Sequence, residues 1–143
     1  IASSYFAIGY LLDSGGKYDE AIECLSKSLA ISLDLNGFYS SEVANTLSKI
    51  ANIYYGQAKY QESEEYFLQA LKSGIQVYGP DHLIVYGNYL ALANAYKHQE
   101  KYAQAIEYFQ NALNVLIHTK GENDPDADLY RRVIKELGKK INK

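Results

Sequence analysis

The chain has 143 residues, enough for one domain with a continuous core, and its 48% hydrophobic and 22% charged content is ordinary for a folded globular protein. A formal net charge of −3 offers no basic footprint for nucleic acid across the domain, and no run of about 18 apolar residues exists to cross a membrane. Cys24 is the one cysteine, which forbids an internal disulfide and fits a reducing compartment, so a cytoplasmic location is expected.

The opening IASSYFAIGYLLDSGG has neither the basic n-region nor the small-residue cleavage pattern of a signal peptide. No methionine occurs anywhere, so the sequence is expected to be a piece of a longer protein. Apolar residues at helical spacing predict seven helices, near 2–14, 18–35, 41–56, 60–77, 82–98, 102–119 and 125–141. These helices repeat. GKYDEAIECLSKSL, AKYQESEEYFLQAL and EKYAQAIEYFQNAL begin at 16, 58 and 100, which is a period of 42 residues. The segments before them keep the same register: Ile8-Gly9, Ile50-Ala51 and Leu92-Ala93, then Leu12, Tyr54 and Tyr96.

Each unit therefore holds two helices joined by a short polar turn, SGGK, GQAK or HQEK, which forces them antiparallel. Units are expected at about 1–36, 40–78 and 82–120, with a capping helix at about 125–141, all in one domain. Gly37, Gly79 and Gly121 fall between units, as natural helix stops. Asp81, and Asp124 followed by Pro125, are natural helix starts. In the last helix Lys135 and Gly138 take phases that are small or aromatic elsewhere, as an end cap departs from its repeats. The small residues at Gly9, Ala51 and Ala93 are expected to face Ala21, Ser63 and Ala105, where the two helix backbones approach closely.

These phases resemble the tetratricopeptide repeat, which asks for a bulky residue, leucine, glycine or alanine, tyrosine, alanine, an aromatic and alanine in turn. The third unit offers Tyr89, Leu92, Ala93, Tyr96, Ala105, Phe109 and Ala112; the second offers Leu47, Ile50, Ala51, Tyr54, Ser63, Phe67 and Ala70. The first departs more, with Tyr5, Ile8, Gly9, Leu12, Ala21, Leu25 and Ser28. The 42-residue length and the linkers GPDH and GEND are similar to the longer variant of kinesin light chains, although the paired asparagines of that variant are replaced by Ser48-Lys49 and Leu90-Ala91. The resemblance implies an all-α, right-handed α-α superhelix of three tandem helical hairpins plus the C-terminal capping helix. It also implies a concave groove, lined by first helices, that holds a partner's peptide.

Residues off the packing phase would line that groove: Asn45, Ser48, Lys49, Asn52 and Tyr55 from the second unit, Leu90, Asn94 and Lys97 from the third, and Arg132 from the last helix. Phe6 and Tyr10 would join them from the first unit, and Gly87 and Ala91 from the third. Asn52 and Asn94 share one phase, and asparagine amides both donate to and accept from a peptide backbone. The mixture suits a protein or peptide partner with aromatic or apolar residues and some acidic ones. Repeat domains of this family that bind chaperone tails clamp a terminal carboxylate with lysine, arginine and asparagine. Here those phases hold Phe6, Tyr10, Lys49, Gly87 and Ala91, so no chaperone C-terminal tail is expected.

His82, His98 and His118 stand on different elements without metal-ligand spacing, and neither a phosphate loop nor HExxH is present. No catalytic residue, cofactor or metal is therefore expected. The basic run after Leu129, with Arg131, Arg132, Lys135, Lys139, Lys140 and Lys143, reads as a solvated helix face. A rival expectation is structural, a homo-oligomer through the repeat ends, or a regulatory sensor module acting within one chain.

Overall fold

The repeat places an end of every helix. The computed structural model describes residues 2–142, in which seven α-helices follow one another and no strand occurs. They are α1 (Ala2–Ser14), α2 (Tyr18–Asn36), α3 (Ser41–Gly56), α4 (Tyr60–Tyr78), α5 (Leu83–His98), α6 (Tyr102–Lys120) and α7 (Pro125–Ile141). Within each hairpin the chain reverses through one left-handed residue, Gly16, Ala58 or Glu100, with φ of 79°, 61° and 60°. The next amide, of Lys17, Lys59 or Lys101, donates at 2.9 Å to the carbonyl of Leu12, Tyr54 or Tyr96. That bond closes the ended helix on one of its own unpaired carbonyls.

Between hairpins the conformation is more demanding. Gly37, Gly79 and Gly121 combine φ of 75°, 88° and 93° with ψ of 178°, 163° and 166°, a region essentially closed to residues with a side chain. Their amides donate to Leu33, Ile75 and Ile117, so the glycine is fixed by the same turn each time. The following helix is then capped. Ser40 Oγ accepts from the Val43 amide at 3.2 Å, and Asp124 Oδ1 from the Asp126 amide at 2.9 Å, ahead of Pro125. The expectation for α5 needs correcting. His82, not Asp81, caps it, Nδ1 accepting from the Ile84 amide at 3.1 Å, so the helix starts one residue later than expected. The imidazole stacks on Tyr78 at 4.5 Å, which holds its acceptor nitrogen over the helix end, while the Asp81 carboxylate meets His118 Nδ1 at 2.9 Å.

Each helix packs on the one before and the one after, with α3 also touching α5, so the whole is an all-α helical repeat solenoid. Inside the hairpins the small residues sit at 0% exposure: Ala21, Ala51, Ser63, Ala93 and Ala105. Gly9 is buried beside them, and a Cβ added there would lie 2.7 Å from Leu25 Cγ and 3.2 Å from the Ala21 carbonyl oxygen. The first hairpin has no room for the methyl group that Ala51 and Ala93 carry. The other hairpins fill the space around this contact with stacked rings at equivalent positions, Tyr54 on Tyr66 at 5.6 Å and Tyr96 on Tyr108 at 5.5 Å. Hairpin one has Leu12 and half-buried Cys24 at those phases. The largest core cluster joins Phe67, Leu92, Tyr96, Phe109 and Leu137, so the inner face of α7 completes the hydrophobic interior. None of the described helices is long and apolar enough to cross a membrane.

Two stability predictions follow from this packing. Ser63 is fully buried and its hydroxyl has no partner among the described residues, whereas Ala21 and Ala105 hold the same phase. Ser63→Ala removes an unmet hydrogen bond and should stabilise the fold by about 1 kcal/mol, read as a melting temperature about 2–4 °C higher. Burial, reinforced by the Tyr130 hydroxyl, raises the Tyr86 pKa well above its usual value of 10.0, and burial, then the Glu64 carboxylate, does the same for Tyr96. A raised folded-state pKa means stability is intact below pH 10 and drains away above it, by up to about 1.4 kcal/mol per pH unit per tyrosine. Chemical denaturation between pH 9 and 11 should show that fall, and Tyr86→Phe should make it shallower.

Candidate groove between the first helices

Side chains of three first helices, some free of the hairpin packing and some shared with it, converge where α1, α3 and α5 come together. Phe6 and Tyr10 from α1, Asn45, Ser48, Lys49 and Asn52 from α3, and Ile84, Gly87, Asn88 and Ala91 from α5 line a cleft of about 480 Å³, with Phe67 of α4 reaching its floor. Of the positions expected from the sequence, Asn45, Ser48, Lys49 and Asn52 are thus brought together. Phe6, Tyr10, Gly87 and Ala91 line the same cleft.

Their polar atoms are differently committed. Asn45 Oδ1 accepts from the Tyr78 hydroxyl at 3.3 Å, and Ser48 Oγ donates to Asn88 Oδ1 at 3.0 Å. Asn52 is exposed and has no side-chain hydrogen bond among the described residues. Lys49 Nζ lies 2.7 Å from Asp13 Oδ2 and 4.4 Å from the centre of the Tyr10 ring, with both charged side chains mostly buried. The cation of the groove is therefore met by a carboxylate of its own chain.

Five expected positions lie outside the cleft. Tyr55 packs edge-on to Tyr60 at 5.3 Å and to His98 at 5.7 Å, and His98 stacks on Tyr60 at 4.5 Å. Leu90 is half-buried against the main core, and Asn94 Nδ2 donates to the Leu90 carbonyl at 3.0 Å. The Asn94 amide is thus turned back on its own helix, so of the two stacked asparagines Asn52 alone keeps its amide free. Lys97 and Arg132 are exposed, beyond the cleft's end. Ile84, Phe67 and Asn88 line the cleft in addition to the positions expected from phase. Asn88 stands at the phase of buried Thr46, a packing position, and an amide on a packing phase was the available signal.

No group of three or more histidine, cysteine, aspartate or glutamate side chains that could hold a metal gathers among the described residues. A second, smaller hollow of about 170 Å³ lies between α1, α2 and α3, lined by Phe6, Ser28, Ser32 and Thr46 among others. Ser28 Oγ donates there to the Ala2 carbonyl at 2.8 Å.

Tetratricopeptide repeat family models match residues 42–116 and 2–34. The chain belongs to the tetratricopeptide repeat family. No curated protein sequence matches it. Among solved structures, tetratricopeptide architecture recurs at low identity. The crystal structure of BtubC (BKLC) from P. vanneervenii superposes with a TM-score of 0.82 at 24% identity, covering 96% of this chain and 55% of that one. A putative kinesin light chain from Podosopora anserina, with nearly identical repeats, gives 0.76 at 17% identity over 94% of this chain and 64% of that one. This tetratricopeptide chain thus spans between about half and two thirds of those two structures. The first such domain of Spaghetti (RPAP3), bound to the HSP90 peptide SRMEEVD, gives 0.68 at 17% identity over 99% and 94% of the two chains. At such identities the likeness is one of fold.

Proposed function

We propose that the chain is a non-enzymatic protein-interaction scaffold whose groove captures an extended peptide segment of a partner, in the manner of kinesin light chain cargo or adaptor recognition. The observation that carries this reading is the cleft itself. Rings from Phe6 and Tyr10, amides from Asn45, Asn52 and Asn88, and one lysine from three successive first helices face a single space. Apolar walls with a few placed polar groups are the usual make-up of a binding cleft. Aromatic side chains of a ligand would supply most of the buried area, and acidic ones would compete with Asp13 for Lys49. The neighbour bound to SRMEEVD takes a peptide ending in acidic residues. Here the corresponding clamp phases hold Phe6, Tyr10, Gly87 and Ala91 beside a lysine already paired, which supports a different ligand.

A second reading, self-association with another copy of the chain, is favoured by α1. Its Ile8 and Leu11 are 46% and 69% exposed on a helix that is apolar nearly all round, and helices of that kind are ordinarily buried. Light scattering separates the two readings. A monomer with an open groove agrees with peptide capture, and a stable dimer abolished by Leu11→Lys agrees with assembly.

Display of random dodecapeptides on the protein tests the leading proposal. The recovered peptides should carry aromatic residues with nearby Asp or Glu, and Asn52→Ala should weaken them about 5-fold, one lost hydrogen bond. Asp13→Asn should bind the acidic members more tightly and leave neutral ones unchanged. Recovery of no peptide, or of peptides indifferent to all three of Phe6→Ala, Asn52→Ala and Asp13→Asn, would overturn the groove reading.

A further inference from the structure

We infer that Asn88 is a backbone reader in the wall of this groove: its carboxamide bonds a peptide unit of the captured segment, whatever side chains that segment carries. The inference rests on the groove being a peptide site and adds the part of the peptide it recognises. Asn88 is 4% exposed, yet it lines the cleft. Its Oδ1 accepts from Ser48 Oγ, a bond that ties α3 to α5, while its buried Nδ2 has no partner among the described residues.

A buried polar residue at this phase does not have to be left unmet. Thr46, one unit earlier, is 2% exposed and donates its hydroxyl to the Glu42 carbonyl at 2.7 Å. Asn88 Nδ2 makes no such bond, although Asn94 on the same helix turns its amide onto the Leu90 carbonyl, and an unmet buried donor is costly. The other buried polar atoms left unpaired, Gln57 Oε1 and Ser63 Oγ, belong to residues outside the cleft lining. Among the described residues, Asn88 alone places an unpaired buried atom at the groove.

The chemistry of the missing partner follows from the surroundings. The nearest cation of the groove, Lys49, is already paired with Asp13, so the donor stands in a neutral wall and fits a neutral acceptor. Every peptide unit presents one. Turning the carboxamide over would offer its oxygen instead, which a peptide N–H complements, so both orientations select the same ligand class. The terminal torsion of asparagine is soft, so the carboxamide, buried in the free protein, can turn its free end toward the cleft that the side chain borders when a peptide arrives.

Backbone reading makes a distinctive prediction, because the Nδ2 end of the amide bonds nothing in the free protein, where it should cost stability, and should contribute affinity once a peptide is bound. Asn88→Leu keeps the volume, and Asn88→Thr copies the hydroxyl arrangement of Thr46. Thermal melting is measured alongside fluorescence anisotropy with three labelled dodecapeptides of unrelated sequence, taken from display on the wild-type protein. Loss of the Ser48 bond and removal of the unmet donor offset each other, so both variants should melt within about 4 °C of the wild-type protein and bind all three peptides about 5–10-fold more weakly, by one common factor. A larger fall in melting temperature in both variants would make the amide structural, and unchanged binding, or a loss confined to one peptide, would equally overturn the inference. If the wild-type protein recovers no peptide at all, the groove reading fails first and this one with it.

Discussion

The close approach of two helix backbones inside each hairpin is the constraint on which this solenoid depends. Where Gly9 meets Ala21 and Leu25 there is no space for a single added carbon, and at the equivalent positions Ala51, Ser63, Ala93 and Ala105 are sealed from solvent. A side chain of any size there would force the pair apart, and in a close-packed interior the strain is passed on to the neighbours. The rings above the contact, Tyr54 on Tyr66 and Tyr96 on Tyr108, can only stack if the helices below them touch. One small residue per helix thus sets the separation that the large residues then fill. Because each helix also packs on its successor, the separation is handed along the chain, and the first helices come to lie side by side.

That arrangement divides the first helices into a committed face and a free one. On α3 the committed face holds Val43, Leu47, Ile50 and Ala51, all essentially unexposed; the free face holds Asn45, Ser48, Lys49 and Asn52. Substitution on the free face leaves the hairpin contacts alone, so a scaffold of this type separates stability from recognition. The Lys49–Asp13 pair shows the division is incomplete. It joins α1 to α3 beside the groove, so a residue open to ligand also helps hold two units in register. Asn88 with Ser48 does the same between α3 and α5.

The sequence made the scaffold legible because its determinants are periodic. Helix limits came within one residue of those observed, since the glycine between units and the left-handed turn within them recur at fixed phase. The error at Asp81 arose because a carboxylate and an imidazole can both cap a helix, and the choice was made by the stacking of His82 on Tyr78, a contact between residues that no repeat pattern couples. The groove was half legible for a similar reason. Phase told which side chains leave the core, but not which bonds they then make. Asn94 shares its phase with Asn52, yet bonds its own helix; Tyr55 leaves the packing face only to join Tyr60 and His98.

Asn88 marks the limit of the phase argument in the opposite direction. By position it belongs to the core, where Thr46 stands in the previous unit, and a pattern that sorts residues into packed and free assigns it to packing. Its polarity contradicts that assignment, and the contradiction is visible only once the amide is seen to have a partner on one side and none on the other. Local conflicts of this sort, a polar group placed where the fold asks for an apolar one, are where function is expected to depart from folding. In a repeat protein the conflict can be weighed against internal controls, because the same position has been filled more than once. Thr46 is the answer that satisfies the fold alone. A different answer at Asn88 therefore points to a demand that the neighbouring unit does not share, and the cleft it borders is where that demand would come from.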